Sequence, residues 1–334
     1  MPRFWTPIGL VAAVAALLTS CAAPPLPAAT LGVPAAEPTA ERAVPTAAPA
    51  PVRGSGLPAS APGYRWTSML NVAVQVPAAW GYEVALGQDW CAARDGAAGP
   101  PQQPFVAVHR ISRVLRDVHC SDAYPPEEQQ VEHLEWTPAQ RVDKAGDSTH
   151  HGWVYSRRII GEALLTYVHR AGQDADALFD TARVVKVDPN GCPVRQPTSE
   201  RPSAATLSAA PDDALVCQYA TTYTTANLVA SRRLGADEAA TLLAAMDDAP
   251  AIGRPRVEGW CPVGELGTTV SVRFRAGELS REVRLSLLGA VVPVSIDDGS
   301  TYRRPTRSNC ADVFTRPIWW PTWLDEDAAA CAAR

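Results

Sequence analysis

The sequence predicts an α+β fold with two small modules, each an antiparallel sheet with one main helix. Three observations lead to this prediction. Short alternating apolar segments outnumber helical ones and are separated by turn residues. Each half of the folding region contains one segment with apolar residues at helical spacing, and a Pro-, Ser- and Thr-rich break divides the halves near residues 190–205. Strands with one late helix favour an antiparallel sheet that has the helix on one face.

Composition limits the classes of function. The chain has 334 residues, 31 of them Pro and 8 of them Cys, and its net charge is -5. At roughly 100–200 residues per domain, this length suggests two domains. Non-specific nucleic-acid binding comes from basic residues that neutralise phosphates, so a weakly acidic chain is not expected to bind nucleic acid. Several Cys behind an apolar N-terminus indicate an oxidising compartment.

The first 20 residues are typical of a secretory signal. The apolar run at residues 8–18 is shorter than the ~20 residues that a bilayer-spanning helix requires. Residues 18–21, Leu-Thr-Ser-Cys, resemble the bacterial lipobox. The resemblance implies a lipoprotein signal peptide at 1–20 and a diacylglycerol on Cys21, which anchors the chain to the outer face of the cell membrane. The alternative is a plain signal peptide cut near residues 22–23.

Residues 21–63 begin with the lipidated Cys21 and are predicted to form a disordered Pro/Ala-rich tether. The segment has few large apolar side chains, so burial cannot offset the entropy of ordering it. Pro-rich chains extend by ~3.1 Å per residue, which gives a reach of roughly 100 Å. We predict a first α+β module at 64–190, a linker at 191–205, and a second α+β module with a Trp-rich C-terminal tail at 206–334.

The first module contains one strand pattern that is especially clear. Val72, Val74 and Val76 lie on one face of a strand that ends at a Pro. Asp174 is the expected N-cap of a helix with apolar residues at positions 175, 178, 179 and 182. The other predicted strands are 105–111, the hairpin pair 153–158 and 163–169, and 184–187.

Two segments of this module resemble known secreted domains. Residues 74–81, Val-Gln-Val-Pro-Ala-Ala-Trp-Gly, look like the opening of small secreted α+β domains, and residues 181–185 look like their closing element. The Mog1/PsbP-like architecture shares this plan, and many cell-surface lipoproteins of high-GC Gram-positive bacteria look similar. The resemblance covers residues 66–188. It implies a fold more than a role, since most of those lipoproteins have no assigned function.

The second module shows the same mixture of elements. Residues 215–219 predict a strand, and 236–246 predict a helix with one apolar stripe. Alternating residues at 270–274 and 283–287 predict a hairpin. Residues 297–299, Asp-Asp-Gly, predict a further hairpin after Val294 and Ile296.

The Cys residues are expected to form disulfides. The preferred pairs are Cys91–Cys120, Cys192–Cys217 and Cys310–Cys331. This leaves Cys261 free, although a Cys261–Cys310 pair with Cys331 free fits nearly as well, because connectivity cannot be read from a sequence. Each bond contributes about 2–4 kcal/mol. The absence of Cys-x-x-Cys argues against a thioredoxin-type pair or a zinc ribbon.

All 6 His lie in the first module. They are His109, His119, His133, His150, His151 and His169. If the predicted strand faces of His109 and His169 met, two imidazoles would converge, and they are weak metal candidates because a metal needs three or four ligands. Surface or partly buried His is the better interpretation, so neither a metal nor a cofactor is predicted. Nucleophile elbows and Walker loops are also missing, so no catalytic residue is predicted.

The C-terminal tail contains Trp319, Trp320 and Trp323 around a Pro. Trp is enriched at binding hot spots, so these rings are candidates for a binding surface. The alternative, which we favour, is that the tail folds back and buries them.

Together, these patterns predict a membrane-anchored extracytoplasmic lipoprotein with a non-catalytic binding or scaffold role in the cell envelope. Its partners are the lipid bilayer, through acylated Cys21, and an envelope protein, polymer or small-molecule ligand. The alternative is an extracytoplasmic enzyme or metal-binding protein that uses the His-bearing face of the first module.

Overall fold

Strands dominate the structure, a computed structural model of the chain. It describes residues 55–84, 90, 101–108, 120, 122–197, 201–202, 204–221, 225–254, 267–288, 294–319 and 331. These residues form a mostly β fold with three sheets and few helices. All of them belong to one compact unit, Pro49–Arg334. The predicted signal peptide, Cys21 and most of the predicted tether lie outside the described residues.

The first sheet has three strands in the order β1-β2-β9. They are β1 (Tyr64–Met69), β2 (Val72–Pro77) and β9 (Arg183–Val184). Val72, Val74 and Val76 are fully buried, which confirms the alternation predicted for this strand. The predicted strand at 184–187 is shorter than expected, because only its first residue pairs within a named strand.

The second sheet has six strands in the order β3-β4-β5-β8-β7-β6. The predicted hairpin is confirmed, because β7 pairs with β8 in antiparallel fashion. The antiparallel expectation is wrong for one half of the sheet, because β3, β4 and β5 pair in parallel. Long connections precede β4 and β5, whereas a two-residue turn can join only antiparallel strands. The strands are β3 (Gly81–Glu83), β4 (Phe105–Ala107), β5 (His133–Pro138), β6 (Gly146–His150), β7 (Trp153–Ile160) and β8 (Ala163–Arg170).

The two faces of this sheet differ in chemistry. Leu134, Trp136 and Leu165 lie on the inner face, in a core shared with β2 and with helix α1 (Ala175–Phe179). Asp174 caps α1, as predicted, by accepting hydrogen bonds from the N–H groups of residues 176 and 177 at 3.0 and 3.2 Å. The opposite face, which we call the outer face, contains His133, Glu135, Tyr155, Arg157 and Thr166.

The third sheet has eight antiparallel strands in the order β10-β12-β11-β14-β15-β16-β17-β13. Helix α2 (Ala236–Asp247) covers one face with Ala239, Leu242 and Met246, which confirms the predicted helix. Helix α3 (Arg307–Cys310) follows the last strand. The strands are β10 (Arg195–Pro197), β11 (Asp213–Thr221), β12 (Thr225–Leu234), β13 (Ala251–Ile252), β14 (Gly267–Ala276), β15 (Leu279–Leu288), β16 (Ser295–Asp297) and β17 (Tyr302–Arg303).

The predicted hairpin of β14 and β15 is confirmed. The eight-stranded sheet also contains strands that were not predicted, among them β10, β12 and β13. β10 lies inside the segment 191–205 that was expected to be a linker, and it pairs with the edge of β12. Pairing with a long neighbour, rather than its own alternation, makes this short segment a strand.

A buried carboxylate links the three-stranded sheet to the eight-stranded sheet. Asp188 is fully buried and accepts a hydrogen bond from Ser68 of β1 at 3.0 Å and another from Ser231 of β12. The N–H groups of Asn190 and Cys192 donate to its other oxygen at 3.1 and 2.6 Å. Burial raises the pKa of the Asp188 carboxyl above its usual value.

Candidate functional site

A cavity of about 250 Å³ opens on the outer face of the six-stranded sheet. The sheet forms its floor, and the segment 123–131 forms one wall. Two positions on β5 and two on β7 contribute to the floor, since alternate residues of a strand point to the same face. The polar side chains in the lining include Gln130, His133, Glu135, Tyr155, Arg157 and Thr166.

His133 and Glu135 form a hydrogen-bonded pair in the cavity floor. Nδ1 of His133 lies 2.7 Å from the carbonyl oxygen of Val131, and Nε2 lies 3.1 Å from Oε1 of Glu135. A carbonyl only accepts, so we assign a hydrogen to Nδ1. The second contact is a hydrogen bond when a proton lies on either Nε2 or the Glu135 carboxyl.

The His133 ring is held in place from two directions. It stacks on the buried Phe105 ring, with centroids 4.7 Å apart and planes inclined by 4°. Together with the bond to the carbonyl of Val131, this contact fixes which way the ring nitrogens point. The position of Nε2 in the cavity floor is therefore set before any ligand binds.

Tyr155 and Gln130 connect the floor of the cavity to its wall. The Tyr155 hydroxyl donates to Oε1 of Gln130 at 2.6 Å, and Nε2 of Gln130 donates to the carbonyl of Pro125 at 2.7 Å. Burial, assisted by the charge of Glu135, raises the pKa of Tyr155, so the phenol stays protonated at neutral pH. Two successive hydrogen bonds thus hold the wall against the sheet.

Arg157 is the positively charged group of the cavity. Its guanidinium lies near the Tyr155 ring, 5.9 Å from the centroid, and donates to the Tyr124 hydroxyl at 3.4 Å. Among the described residues, no carboxylate lies within ion-pair distance of this side chain. Its charge is available to a ligand, and the half-buried position makes a charge-assisted bond stronger than it would be in bulk water.

Two other His lie beside this region. The His150 ring stacks on Tyr124 with centroids 3.5 Å apart, and Nε2 of His151 lies 3.0 Å from Oδ2 of Asp122. The N–H of Tyr124 and the contact with His151 lower the pKa of the Asp122 carboxyl. His151 lies in the turn before β7, where its φ is 47°. Both imidazoles are used in contacts that position the cavity wall.

His169, one of the two weak metal candidates, is buried on the inner side of β8. Its Nε2 lies 3.0 Å from the Ser156 hydroxyl, and its Nδ1 lies 2.9 Å from the carbonyl of Arg170. Both ring nitrogens are therefore occupied. His109, the other candidate, lies outside the described residues. Across the ranges that the structure describes, no group of three or more His, Cys, Asp and Glu side chains is arranged to hold a metal.

The disulfides join the pairs that the sequence analysis preferred in the second half of the chain. Cys192 is bonded to Cys217 and Cys310 to Cys331, with Cα separations of 5.8 and 5.1 Å. Cys120 is also disulfide-bonded, and its predicted partner Cys91 lies outside the described residues, as does Cys261. The first bond fixes the end of the segment 188–192 to β11.

The Trp-rich tail is described only in part. Trp319 is half-buried, and its main chain forms two hydrogen bonds with the Gln218 side chain of β11 at 3.0 and 2.7 Å. Ile318, just before it, is buried in the core of the eight-stranded sheet. Trp320 and Trp323 lie outside the described residues.

Sequence reasoning missed the cavity because it did not recognise β5 as a strand. The available signal was the spacing of His133 and Glu135, and of Tyr155 and Arg157, at two-residue intervals. Such spacing places each pair on one face of a strand.

In the part of the chain that the structure describes, every helix is too short or too polar to cross a bilayer. No family model, curated protein or solved structure matches this chain.

Proposed function

We propose that this chain is an extracytoplasmic lipoprotein, anchored to the outer face of the cell membrane through Cys21, that binds a small molecule in the outer-face cavity. One observation carries the binding role. The cavity side chains are held by contacts within the protein, while Arg157 lacks an acidic partner and Oε2 of Glu135 lacks a hydrogen-bond donor among the described residues. Pre-positioned polar groups in a concave site are typical of ligand binding.

The anchoring proposal rests on residues 1–21, and the disulfides support it. Disulfides persist in oxidising compartments and are rare in the cytosol. The lipobox-like sequence places a Cys directly after the apolar run, where lipid attachment occurs in bacterial lipoproteins. The resemblance to lipoproteins of high-GC Gram-positive bacteria belongs to the same proposal.

We also propose a finer division of the fold into two α+β modules at 64–190 and 206–334. Its support is that α1 packs in the core of the first half and α2 packs in the core of the second half. The cavity belongs entirely to the first half, so the second half would serve to support it or to bind another envelope component.

A Cys21→Ser variant tests the anchor. We expect the wild-type chain to fractionate with membranes and to incorporate labelled fatty acid, and the variant to lose both properties. Cys261→Ser is a suitable control because it changes a Cys in the second half of the chain. Membrane association of Cys21→Ser equal to that of the wild type would contradict the anchor.

Thermal unfolding of the full chain in detergent tests the binding role. The compounds are small carboxylates, amines, sugars and polyols, and a true ligand raises the midpoint in a concentration-dependent manner. Tyr155→Ala removes part of the cavity floor and should abolish the shift. If no compound shifts the midpoint, or if the shift survives in Tyr155→Ala, the cavity is not the binding site.

An enzyme is the alternative, because Nε2 of His133 and Oε1 of Glu135 lie 3.1 Å apart beside the cavity. Such a pair can act as a general acid and base when a substrate lies within reach. Prolonged incubation with each stabilising compound distinguishes the two functions. Recovery of the compound unchanged supports binding, whereas a conversion that His133→Gln abolishes supports the enzyme.

A further inference from the structure

Arg157 is the group of the cavity that favours a negatively charged ligand. Among the described residues, Oε1 of Glu135 is in contact with His133 at 3.1 Å, and the polar contact of Arg157 is with the Tyr124 hydroxyl. A half-buried positive charge without a carboxylate partner among the described residues attracts an anion more strongly than a charge in bulk water does, so the site favours a ligand that brings a negative charge.

The register of the sheet places Arg157 and Glu135 on either side of one residue. Glu135 lies opposite Thr166 on β8, and Thr166 lies opposite Arg157 on β7. Neighbouring strands are about 4.8 Å apart, so the Cα atoms of Glu135 and Arg157 are roughly 10 Å apart. Their side chains share the outer face with Thr166 between them, which leaves room for a short ligand to contact both.

Glu135 offers a second, different contact. Its Oε1 is engaged with His133, and its Oε2 has no hydrogen-bond partner among the described residues. A carboxylate oxygen accepts hydrogen bonds, so it fits a hydroxyl or an ammonium group on the ligand. The cavity therefore pairs an anion-binding group with a donor-binding group across Thr166.

The size and walls of the cavity limit the rest of the ligand. A volume of about 250 Å³ lies just below the range of about 300–1,000 Å³ that is usual for ligand pockets. Phe105, Pro125 and the Tyr155 ring provide apolar surface in the lining. A ligand with a single short apolar side chain fits this combination.

We propose that the cavity binds a small carboxylate with a hydrogen-bond donor beside it, as in an α-amino acid or a 2-hydroxy acid. The ligand carboxylate pairs with Arg157, and the ligand donor forms a hydrogen bond with Oε2 of Glu135. The apolar side chain of the ligand lies against Phe105, Pro125 and the Tyr155 ring. This inference rests on the proposed binding function and specifies its ligand.

Calorimetric titration of the full chain in detergent tests the proposal with matched compounds. The methyl series is alanine, lactate, propionate and lactamide, and the phenylmethyl series is phenylalanine, phenyllactate, 3-phenylpropionate and phenyllactamide. We expect an amino or hydroxy acid from one series to bind. Loss of the donor, in the plain carboxylates, and loss of the charge, in the amides, should each weaken binding by about tenfold or more.

Three variants assign the contacts. Arg157→Gln should weaken binding of the acid by at least about tenfold. Glu135→Gln should reduce the affinity for the amino or hydroxy acid to that of the plain carboxylate. The control is Arg158→Gln, which removes the same charge from the neighbouring position of β7, where Arg158 pairs with Asp147 and Asp176. This control should leave the affinity unchanged.

The outcomes separate this proposal from the binding function itself. If the amides bind as tightly as the acids, or if Arg157→Gln leaves the affinity unchanged, the ligand class is wrong although the cavity still binds. If none of the eight compounds binds, the ligand class is wrong. The wider panel of sugars, polyols and amines, compared in the wild type and Tyr155→Ala, then decides whether the cavity binds any ligand.

Discussion

The eight-stranded sheet and the outer face of the six-stranded sheet both contain partly buried charges, but they pair them differently. In the eight-stranded sheet, Asp213 accepts from Nε of Arg233 at 2.8 Å and from Nε of Arg275 at 2.6 Å. On the outer face, and among the described residues, Arg157 has no carboxylate partner and Oε2 of Glu135 has no hydrogen-bond donor. Charges that are fully paired within the protein stabilise the fold, whereas these two groups are available to a ligand.

The pKa values of two carboxyl groups in the eight-stranded sheet show the effect of this pairing. Burial by itself would raise the pKa of Asp213, but the hydrogen bonds from Arg275 and Arg233 outweigh it and lower the pKa below its usual value. Glu282 behaves in the same way, since the bond from Arg284 overcomes the effect of burial. Both carboxylates are therefore ionised whenever the sheet is folded near neutral pH, and their charges are committed to neighbouring Arg side chains.

Removal of a fully paired charge should have the largest effect on stability. Asp213→Ala leaves Arg233 and Arg275 without a counter-ion at a position where the carboxylate side chain is 8% exposed. We expect a loss of about 3–5 kcal/mol in the free energy of unfolding. Urea unfolding of the full chain in detergent, followed by circular dichroism, measures this loss.

The control for this variant is Glu127→Ala. Glu127 accepts a hydrogen bond from Arg170 at 2.6 Å, and the two side chains are 58% and 49% exposed. An exposed ion pair contributes about 0–1 kcal/mol. Equal losses for Asp213→Ala and Glu127→Ala would show that pairing in the interior of the sheet has no special importance.

The second prediction concerns acid stability in the turn between β16 and β17 of the eight-stranded sheet. The hydrogen bonds that Asp298 accepts from Ser300, Thr301 and Arg303 outweigh its burial and lower its pKa to about 2. A lowered pKa adds stability that is complete above the unfolded value of about 3.9 and is lost as the pH falls towards 2. Asp298→Asn should therefore cost about 1.5–3 kcal/mol at pH 7 and almost nothing near pH 2.

Urea unfolding at several pH values between 7 and 2 measures this difference. Asp248→Asn, the same change at the neighbouring end of α2, is the control. A gap for Asp298→Asn that stays constant across the acid range would mean that the Asp298 carboxylate does not contribute through its charge.

The third prediction separates the supporting groups of the outer face from its open ones. Tyr155→Phe removes the hydroxyl that donates to the buried Gln130, so the amide oxygen loses its partner. We expect a loss of about 1–3 kcal/mol in unfolding free energy, because an unsatisfied buried acceptor retains its desolvation cost. Thermal unfolding with Tyr124→Phe as the control checks this expectation, since the Tyr124 hydroxyl makes only a long contact with Arg157.

Much of the local structure could be predicted because its pattern is local. The alternation in β2, the β7–β8 hairpin, the Asp174 cap and the apolar stripe of α2 each depend on residues within one segment. The parallel pairing of β3, β4 and β5 could not be predicted in this way, because it depends on which distant segments meet. β10 was missed for the same reason, since its strand conformation comes from its neighbour.

The candidate site was harder to predict than the fold. The sequence analysis noted that the His residues cluster in one half of the chain, and His133 does lie in the cavity floor. Its partner Glu135 and the opposing Arg157 meet only through the register of β5, β8 and β7. That register is a property of the assembled sheet, and no single segment encodes it.

The smallest effect on stability should come from the group that we assign to the ligand. Arg157→Gln removes a charge that no described carboxylate pairs with, so the free energy of unfolding should change by no more than about 0.5 kcal/mol in the absence of ligand. Arg275→Gln removes an equivalent charge from the fully paired set, and its loss should be several times larger because Asp213 then loses a donor to each oxygen. Urea unfolding of both variants, each beside the wild type, gives the comparison. If Arg157→Gln proves as destabilising as Arg275→Gln, the Arg157 charge is structural, and the distinction between a paired sheet and an open binding face no longer holds.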